Sequence, residues 1–300
     1  MRVLASRRFP GPAWDELDEV EVEWPVERVR PGVEVLAVVG AAVDERLLDL
    51  LPDLQLVANY GVGYDGIDVD ACALRGVAVT NTPAALGVAT ADLTMALILA
   101  VRRRVLEGDR FVRERRWGTE WVSGALMSDD VTGATLGIVG LGRIGRAVAR
   151  RAQGFDMRVL YTRRSEKTEP GLERRELDDL LREADIVTLH VPLTLETERL
   201  LDERRLGLLR DGACLVNTSR GAIVDEQALV RELASGRIRA GLDVFVDEPN
   251  VPGELLALPN VVLLPHVGSA TQATREAATR ELVANIRAAL DGRELPNRVA

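Results

Sequence analysis

The residue types best suited to acid–base and anion chemistry fall on three short segments in the last third of the chain. Only two histidines occur among the 300 residues, His190 and His266. His266 lies in LLPHVGSAT, after an apolar run and before a helical pattern, flanked by Pro265 and Gly268. A histidine at a strand end, with partners on other loops, is suited to act as a general acid. His190 ends DIVTLHVPLT and reads as a wall or packing residue instead. CLVNTSRGAIVD brings Arg220 out after a strand, and GLDVFVDEP brings out Asp243, Asp247 and Glu248 after the next. An arginine, a carboxylate and a histidine at three strand ends could converge on one cleft. There Arg220 would clamp a carboxylate through a fork of hydrogen bonds. Glu248 would hydrogen-bond His266 and help it hold a proton near neutrality, and His266 would protonate a carbonyl oxygen. Each has a plainer alternative: Arg220 as partner of Asp225, Glu248 as an exposed residue before Pro249.

A second constellation precedes these. LGIVGLGRIG contains G-x-G-x-x-G at Gly140, Gly142 and Gly145, after a β-type run and at the start of a helical one, RAVARRAQ. That context is what a dinucleotide fingerprint requires. Gly140 would make the tight turn, Gly142 would let the backbone approach a pyrophosphate, and Gly145 would let helix and strand pack closely. The helix N-terminus would then offer N–H groups and a positive dipole end to the phosphates. About 20 residues on, where an NAD-type unit carries an acid, the sequence reads YTRRSEK, with Thr162 followed by Arg163 and Arg164. Two arginines there suit the 2′-phosphate of NADP, with Ser165 and Lys167 as further donors. Charge-assisted hydrogen bonds of about 1.5–3 kcal/mol each would favour NADP over NAD by roughly one to three decades. Glu166 and Glu169 would lower that local positive potential. With a bound nicotinamide, hydride would reach the carbonyl carbon as His266 delivers its proton.

The elements that must position these residues are legible as alternating apolar runs and helical patterns. Strands are expected at Arg2–Ala5, Val20–Trp24, Val33–Val39, Leu54–Asn59 and Val77–Asn81. A second set is expected at Leu136–Gly140, Arg158–Thr162, Asp185–His190, Ala213–Asn217, Arg239–Val244 and Val261–Leu264. Helices fall between several of them, including Asp44–Leu51 and Asp68–Arg75. Strands alternating with helices imply parallel sheets covered on both faces, so the fold class is α/β with two doubly wound domains. Ala89–Arg116 reads as largely helical with a break at Gly108, and its apolar first part should be buried between domains or subunits. The last helix spans roughly Thr271–Leu290. The boundary is placed near residue 98: a substrate domain of residues 1–98 completed by about 284–300, and a dinucleotide-binding Rossmann domain of 99–283.

GLGRIG, VPLT, NTSRGAIVDEQAL, AGLDVF with the EP that follows, and LPHVGSAT, in this order and spacing, resemble the D-2-hydroxyacid dehydrogenase family over almost the whole chain. The resemblance implies a flavodoxin-like substrate domain beside the Rossmann domain, with a cleft between them. It implies Arg220, Glu248 and His266 as the catalytic set. It also implies that Asp243 and the Thr218 backbone hold the nicotinamide carboxamide, with Gly268 beside the ring. Further cofactor contacts are implied at Thr90, Arg143, Ile144, Pro192, Thr197 and His266. NYGVGYDGID resembles the substrate loop, where the N–H groups of Val62 and Gly63 cradle the carboxylate, and Ser269 is a further substrate contact. VTNTPAALGVATADLTMALILA, the Arg-Arg-Ser turn at 163–165 and GFDMRVLY look most like the glyoxylate/hydroxypyruvate reductase branch. Two departures stand out. Gly66 replaces the Asn more usual after Asp65, which would loosen that loop, and WVSGALMSDD, often an aromatic-rich subunit contact, holds only Trp121.

Composition narrows the classes. A net charge of −9 and a pI near 5.0 make a nucleic-acid partner a poor fit, and the Arg102–Arg104 cluster reads as a solvated face. Cys72 and Cys214 lie far apart without ligand spacing, as small core residues of a reduced protein. MRVLASRRFPGPAW has no apolar run of signal-peptide length, so a soluble cytoplasmic protein is expected, without a membrane partner. No metal is called for, since Arg220 and an imidazolium already offset a developing alkoxide. The expected activity is NADPH-dependent reduction of small 2-oxo acids, glyoxylate and hydroxypyruvate first, by a homodimer that prefers NADP(H) and also accepts NAD(H). Oxidation of phosphoglycerate or of bulky 2-hydroxy acids is the same-class alternative. A dinucleotide-sensing, corepressor-like binding protein is the alternative from another class. The chain ends without the extension of long phosphoglycerate dehydrogenases or the tails of corepressors, which counts against both.

Overall fold

The structure is a computed structural model that describes residues 2–84, 87–118 and 126–300. The chain divides into two units, Met1–Ala89 with Ser269–Ala300, and Thr90–Gly268. These limits fall earlier than the expected 98 and 283. The reason is that each flanking helix packs into a single core: Gly87–Arg102 from Ala91 onward in the second, Gln272–Leu290 in the first.

The first unit is a five-stranded parallel sheet of β1 (Arg2–Ala5), β2 (Val20–Val22), β3 (Val33–Val38), β4 (Leu56–Asn59) and β5 (Ala78–Thr80). Its order, β2-β1-β3-β4-β5, is that of flavodoxin-like doubly wound sheets. Asp44 and Asp68, the first residues of the expected helices, lie just outside the observed ones (Glu45–Leu50 and Val69–Leu74) and cap them, accepting from Leu47 N at 3.0 Å and Ala71 N at 2.8 Å. The C-terminal helix lays Ala278, Leu282, Val283 and Ile286 against β1, β3 and β4. Within it, Asn285 is fully buried, donates to Asn81 O at 3.2 Å and accepts from Asn297 N at 3.1 Å.

The second unit is a seven-stranded parallel sheet of β6 (Thr135–Val139), β7 (Arg158–Thr162), β8 (Glu173–Arg174), β9 (Ile186–Leu189), β10 (Cys214–Asn217), β11 (Arg239–Leu242) and β12 (Val261–Leu263). The order β12-β11-β10-β9-β6-β7-β8 reverses direction between β6 and β9, the switch point where open α/β sheets take their ligands. The expected strands are present with slightly shorter ends. β8 is additional, a two-residue polar edge with no apolar alternation to announce it.

Three expectations are corrected. Gly108 lies inside helix Val105–Arg113, and the break falls at Arg103–Arg104, where Arg104 takes a left-handed φ of 51° and pairs with Glu107. The apolar helix Gly87–Arg102 needs no second domain or subunit to explain it. It buries Met95, Leu97, Ile98 and Val101 on the face of its own sheet, against Leu136, Ile138 and Val216. Arg102, Arg103 and Arg104 are not simply solvated either: they donate to Asp130 O, Ser128 Oγ and Met127 O, tying down the chain at 127–130.

Both cysteines are buried and free, and burial pushes the Cys214 thiol up to about 12, so it stays an inert core residue. Among the described residues no helix is long and apolar enough to cross a membrane. Asn285→Ala leaves the buried carbonyl of Asn81 and the part-buried N–H of Asn297 without this partner. A loss of roughly 2–4 kcal/mol is expected in denaturant unfolding, without displacement of any residue of the second unit's strand-end loops.

Candidate active site

The loops at the carboxyl ends of β6, β9, β10, β11 and β12 carry the residues singled out in the sequence. At the end of β6 the three glycines have three separable roles. Gly140 has a φ of 96°, and a Cβ there would lie 2.5 Å from His190 O, so the turn admits no side chain. A Cβ on Gly145 would run into the carbonyl of Gly140 and the side chain of Ile138, which is how helix Arg143–Gln153 seats against β6. The position a Cβ of Gly142 would take is open space at the helix N-cap. A side-chain-free approach to a helix N-terminus fits a pyrophosphate, so the residues present suit a dinucleotide. Arg143 is exposed and Ile144 half-buried at that terminus.

His190 follows β9. Both its ring nitrogens are buried without a hydrogen-bond partner, although other parts of the residue reach solvent. Desolvation pushes the imidazole down to about 3, so it is neutral at physiological pH and offers no imidazolium to serve as an acid. The loop beyond is closed by Thr197, whose hydroxyl donates to Pro192 O at 2.6 Å and accepts from Thr194 N at 2.8 Å.

Arg220 stands on the loop after β10. Asn217, at the strand end, accepts from Ser219 N at 3.0 Å and donates to Arg220 O at 2.8 Å, an Asx-type brace. Ser219 Oγ donates to Leu189 O at 2.6 Å, and Arg220 donates to Ser219 O at 2.7 Å. Asp225 is not the partner of Arg220. It pairs with Arg199 and caps the following helix through Ala228 N at 3.0 Å. Thr218 is buried, with its hydroxyl 3.1 Å from that of Thr94, which donates to Thr90 O.

The three carboxylates after β11 have three fates. Asp243 is fully buried and accepts from Val267 N at 2.8 Å and Gly268 N at 2.7 Å. Burial raises its pKa, and the two amides and the charge of His266 counter that only in part. Asp247 accepts from Asn250 and takes no part in the dyad. Glu248 accepts from Phe245 N at 3.0 Å and lies 2.7 Å from Nδ1 of His266. Burial would push Glu248 up, but the His266 and Phe245 hydrogen bonds, with the charges of His266 and Arg220, outweigh it and hold it below the usual carboxylate range. A carboxylate oxygen only accepts, so Nδ1 carries the hydrogen and Nε2 is left to face a reactant. His266 takes a left-handed φ of 52°, a conformation held by the Asp243 clamp on the two residues that follow.

Gly221 is what lets the Arg220 and Glu248 loops meet, since a Cβ there would collide with the backbone of Phe245 and Val246.

In the first unit, the Tyr60–Tyr64 turn is organised by two asparagines. Asn59 donates to Gly61 O at 3.4 Å and Gly63 O at 2.9 Å, and Asn81 donates to Val62 O at 2.9 Å. In a trans peptide the N–H points opposite the carbonyl, so the N–H groups of Val62 and Gly63 face away from these asparagines. Ser269 is half-buried at the start of the C-terminal segment. Gly66 does not loosen this loop: its carbonyl accepts from Val43 N at 2.9 Å, and a Cβ would lie 2.9 Å from Ala41 O. Asn59, Asn81, Asn217 and Gly221 were not singled out by motif. The signal for Asn217 was its place at a strand end two residues before a polar turn, and Asn59 and Asn81 show the same strand-end placement.

Among the described residues no group of three or more His, Cys, Asp or Glu is arranged to hold a metal ion. Trp121 lies outside the described residues.

Two outcomes follow. Gly221→Ala is expected to separate the Arg220 and Glu248 loops, lowering turnover at least about tenfold with a stability loss of about 1–3 kcal/mol, read by steady-state kinetics and thermal melts. His190 stays neutral in the folded chain down to about 3, whereas an unfolded histidine takes up a proton below 6.5. The unfolded state therefore binds more protons in that window. Stability should fall as pH drops through it, by at most about 1.4 kcal/mol per pH unit. His190→Leu should flatten the acid side of the Tm profile, and an unchanged profile would refute the burial argument.

Comparison with known proteins agrees with this geometry. Residues 95–268 match the model of the D-isomer specific 2-hydroxyacid dehydrogenase NAD-binding domain. A glyoxylate reductase of Thermococcus kodakarensis is 46% identical over 98% of this chain and 90% of its own. A crystal structure from Thermus thermophilus superposes with a TM-score of 0.93 at 46% identity, covering 100% of both chains. An NADPH-dependent glyoxylate/hydroxypyruvate reductase from Sinorhizobium meliloti, in complex with NADP and malonate, superposes with a TM-score of 0.90 at 36% identity, over 100% of this chain and 96% of that one. With a dinucleotide turn at the sheet's switch point and a Glu–His pair beside an arginine at its strand ends, the chain belongs to the D-2-hydroxyacid dehydrogenase family, as an NAD(P)-dependent oxidoreductase of its glyoxylate reductase branch.

Proposed function

We propose that the protein reduces small 2-oxo acids, glyoxylate and hydroxypyruvate first, to 2-hydroxy acids with NADPH, and also accepts NADH. The observation that carries the reading is the 2.7 Å Glu248–His266 pair next to Arg220, on the strand ends of a dinucleotide-binding sheet. The names of the relatives, glyoxylate reductase and NADPH-dependent glyoxylate/hydroxypyruvate reductase, point to the same substrates.

Arg220 takes the substrate carboxylate, for which a planar guanidinium offers two parallel donors. The Val62 and Gly63 amides are the donors of the first unit suited to that group. Glu248 holds His266 by Nδ1 and fixes the ring's orientation. His266 then delivers the Nε2 proton to the carbonyl oxygen, where charge builds during reduction. The bound nicotinamide supplies the hydride. Thr218, Asp243 and Gly268 line the end of the sheet suited to the nicotinamide, and Gly140–Gly145 the part suited to the pyrophosphate. His266 is 48% exposed in its side chain, so water can return its proton after turnover.

A homodimer in the cytoplasm is part of the proposal. Exposed apolar side chains at Val105, Val112, Trp117 and Met127 follow one another along the second unit and suit a second copy.

His266→Gln is expected to lower kcat by at least about 100-fold while NADPH binding, read by fluorescence titration, is retained. Initial rates on glyoxylate, hydroxypyruvate, pyruvate and phenylpyruvate with each cofactor test the substrate assignment. Failure of every 2-oxo acid to oxidise either cofactor would replace the enzyme reading with a dinucleotide-sensing one.

A further inference from the structure

The two arginines at the end of β7 do not stand open for a phosphate. Arg163 is turned inward, with its side chain only 10% exposed. It donates to Lys167 O, its guanidinium carbon lies 5.8 Å from the Tyr161 ring centre, and its Nε is buried without a partner. Oε2 of Glu169 lies 3.9 Å from Arg163 Nη1 and accepts from Nε of Arg146 at 3.0 Å, so one carboxylate oxygen serves two arginines. Arg146 belongs to the first turn of helix Arg143–Gln153, the helix of the glycine turn. Glu169 is seated by its own N–H, which donates to the Tyr161 hydroxyl at 3.1 Å. Arg164 points the other way, is mostly exposed, and pairs with Glu196 in the loop that Thr197 closes. Each of the two arginines that the strand end offers to a 2′-phosphate already faces a carboxylate of the same chain.

We propose that Glu169 and Glu196 set the cofactor preference, acting as internal counter-anions that compete with the 2′-phosphate of NADPH for Arg163, Arg146 and Arg164. The inference rests on the reading above, in which the adenosine ribose lies at the end of β7. With NADH the glutamates keep the arginines paired, and no buried or clustered positive charge is left uncompensated. With NADPH a group carrying about −1.5 to −2 charge takes the arginines, and the glutamates turn to water. The Arg146–Glu169 and Arg164–Glu196 pairs are open to solvent and therefore weak, so the exchange costs little and both cofactors remain usable. Glu169 is the stronger competitor, because it is shared between two arginines and one of these is nine-tenths buried.

The test is equilibrium titration of NADPH and NADH fluorescence, without substrate, on the unmodified protein and on Glu169→Gln, Glu196→Gln and the double variant. The Kd for NADPH is expected to fall about twofold in Glu196→Gln, about fivefold in Glu169→Gln and roughly tenfold in the double. The Kd for NADH should change less than about twofold. Glu166→Gln removes the same charge from the same loop at a residue with no arginine partner among the described residues, and should leave the ratio of the two Kd values in place. An unaltered ratio in the double variant, a parallel shift for both cofactors, or an equal gain in Glu166→Gln overturns the inference while leaving the dinucleotide reading intact. Binding of neither cofactor by the unmodified protein overturns both.

Discussion

A fully buried carboxylate is costly unless its oxygens are satisfied, and Asp243 meets that condition by taking one backbone N–H on each oxygen, from Val267 and Gly268. The residue just before those two is His266. Its left-handed backbone is therefore the product of a clamp closed from β11, 25 residues away from Gly268 in sequence. The other partner of His266, Glu248, belongs to the same loop as Asp243 and is held by Phe245 N. His266 and the carboxylate that orients it are thus referenced to one strand end, and the imidazole is left to present Nε2 outward. Burial, which makes Asp243 expensive, is also what makes the clamp stiff.

The neighbouring loops are built by the same logic of satisfied backbone groups. Asn217 braces the Arg220 turn, Thr197 closes the 192–197 loop, and Asn59 and Asn81 hold three carbonyls of the Tyr60–Tyr64 turn. In each case a short polar side chain replaces a missing backbone partner and so fixes which way the opposing N–H groups face. Glycine does complementary work. Gly140, Gly145 and Gly221 stand where two backbones approach too closely for a Cβ, whereas among the described residues nothing beyond its own helix and chain neighbours comes within 4 Å of the position a Cβ of Gly142 would take. The three crowded glycines serve the scaffold, and the open one leaves room for a ligand.

Much of this was legible in the chain. Strands β4, β9 and β10 are buried at every position and read as runs apolar at all but one residue, as parallel sheets covered on both faces require. The helices expected to begin at Asp44, Asp68 and Thr271 do form, with those three residues as their caps. β8 escaped because two polar residues at a sheet edge carry no periodicity. The break at Arg104 escaped because an arginine has no intrinsic preference for a left-handed φ, and Gly108 was the better candidate on propensity alone.

Residue types, their order and the spacing of the glycine turn were determined by the sequence alone, and with them the fold class and the placement of Arg220, the three carboxylates and His266 after successive strands. What only the tertiary structure decided was pairing. Asp243, Asp247 and Glu248 carry the same charge within one short loop, and nothing local distinguishes a buried clamp from a solvent-facing residue or the partner of an imidazole. Arg163 and Arg164 are adjacent and identical, yet one folds in beside Glu169 and the other reaches Glu196. Charge and hydrogen-bonding capacity belong to the residue, but which partner satisfies them depends on ångström distances between segments far apart in sequence, and those distances exist only once the sheet has formed.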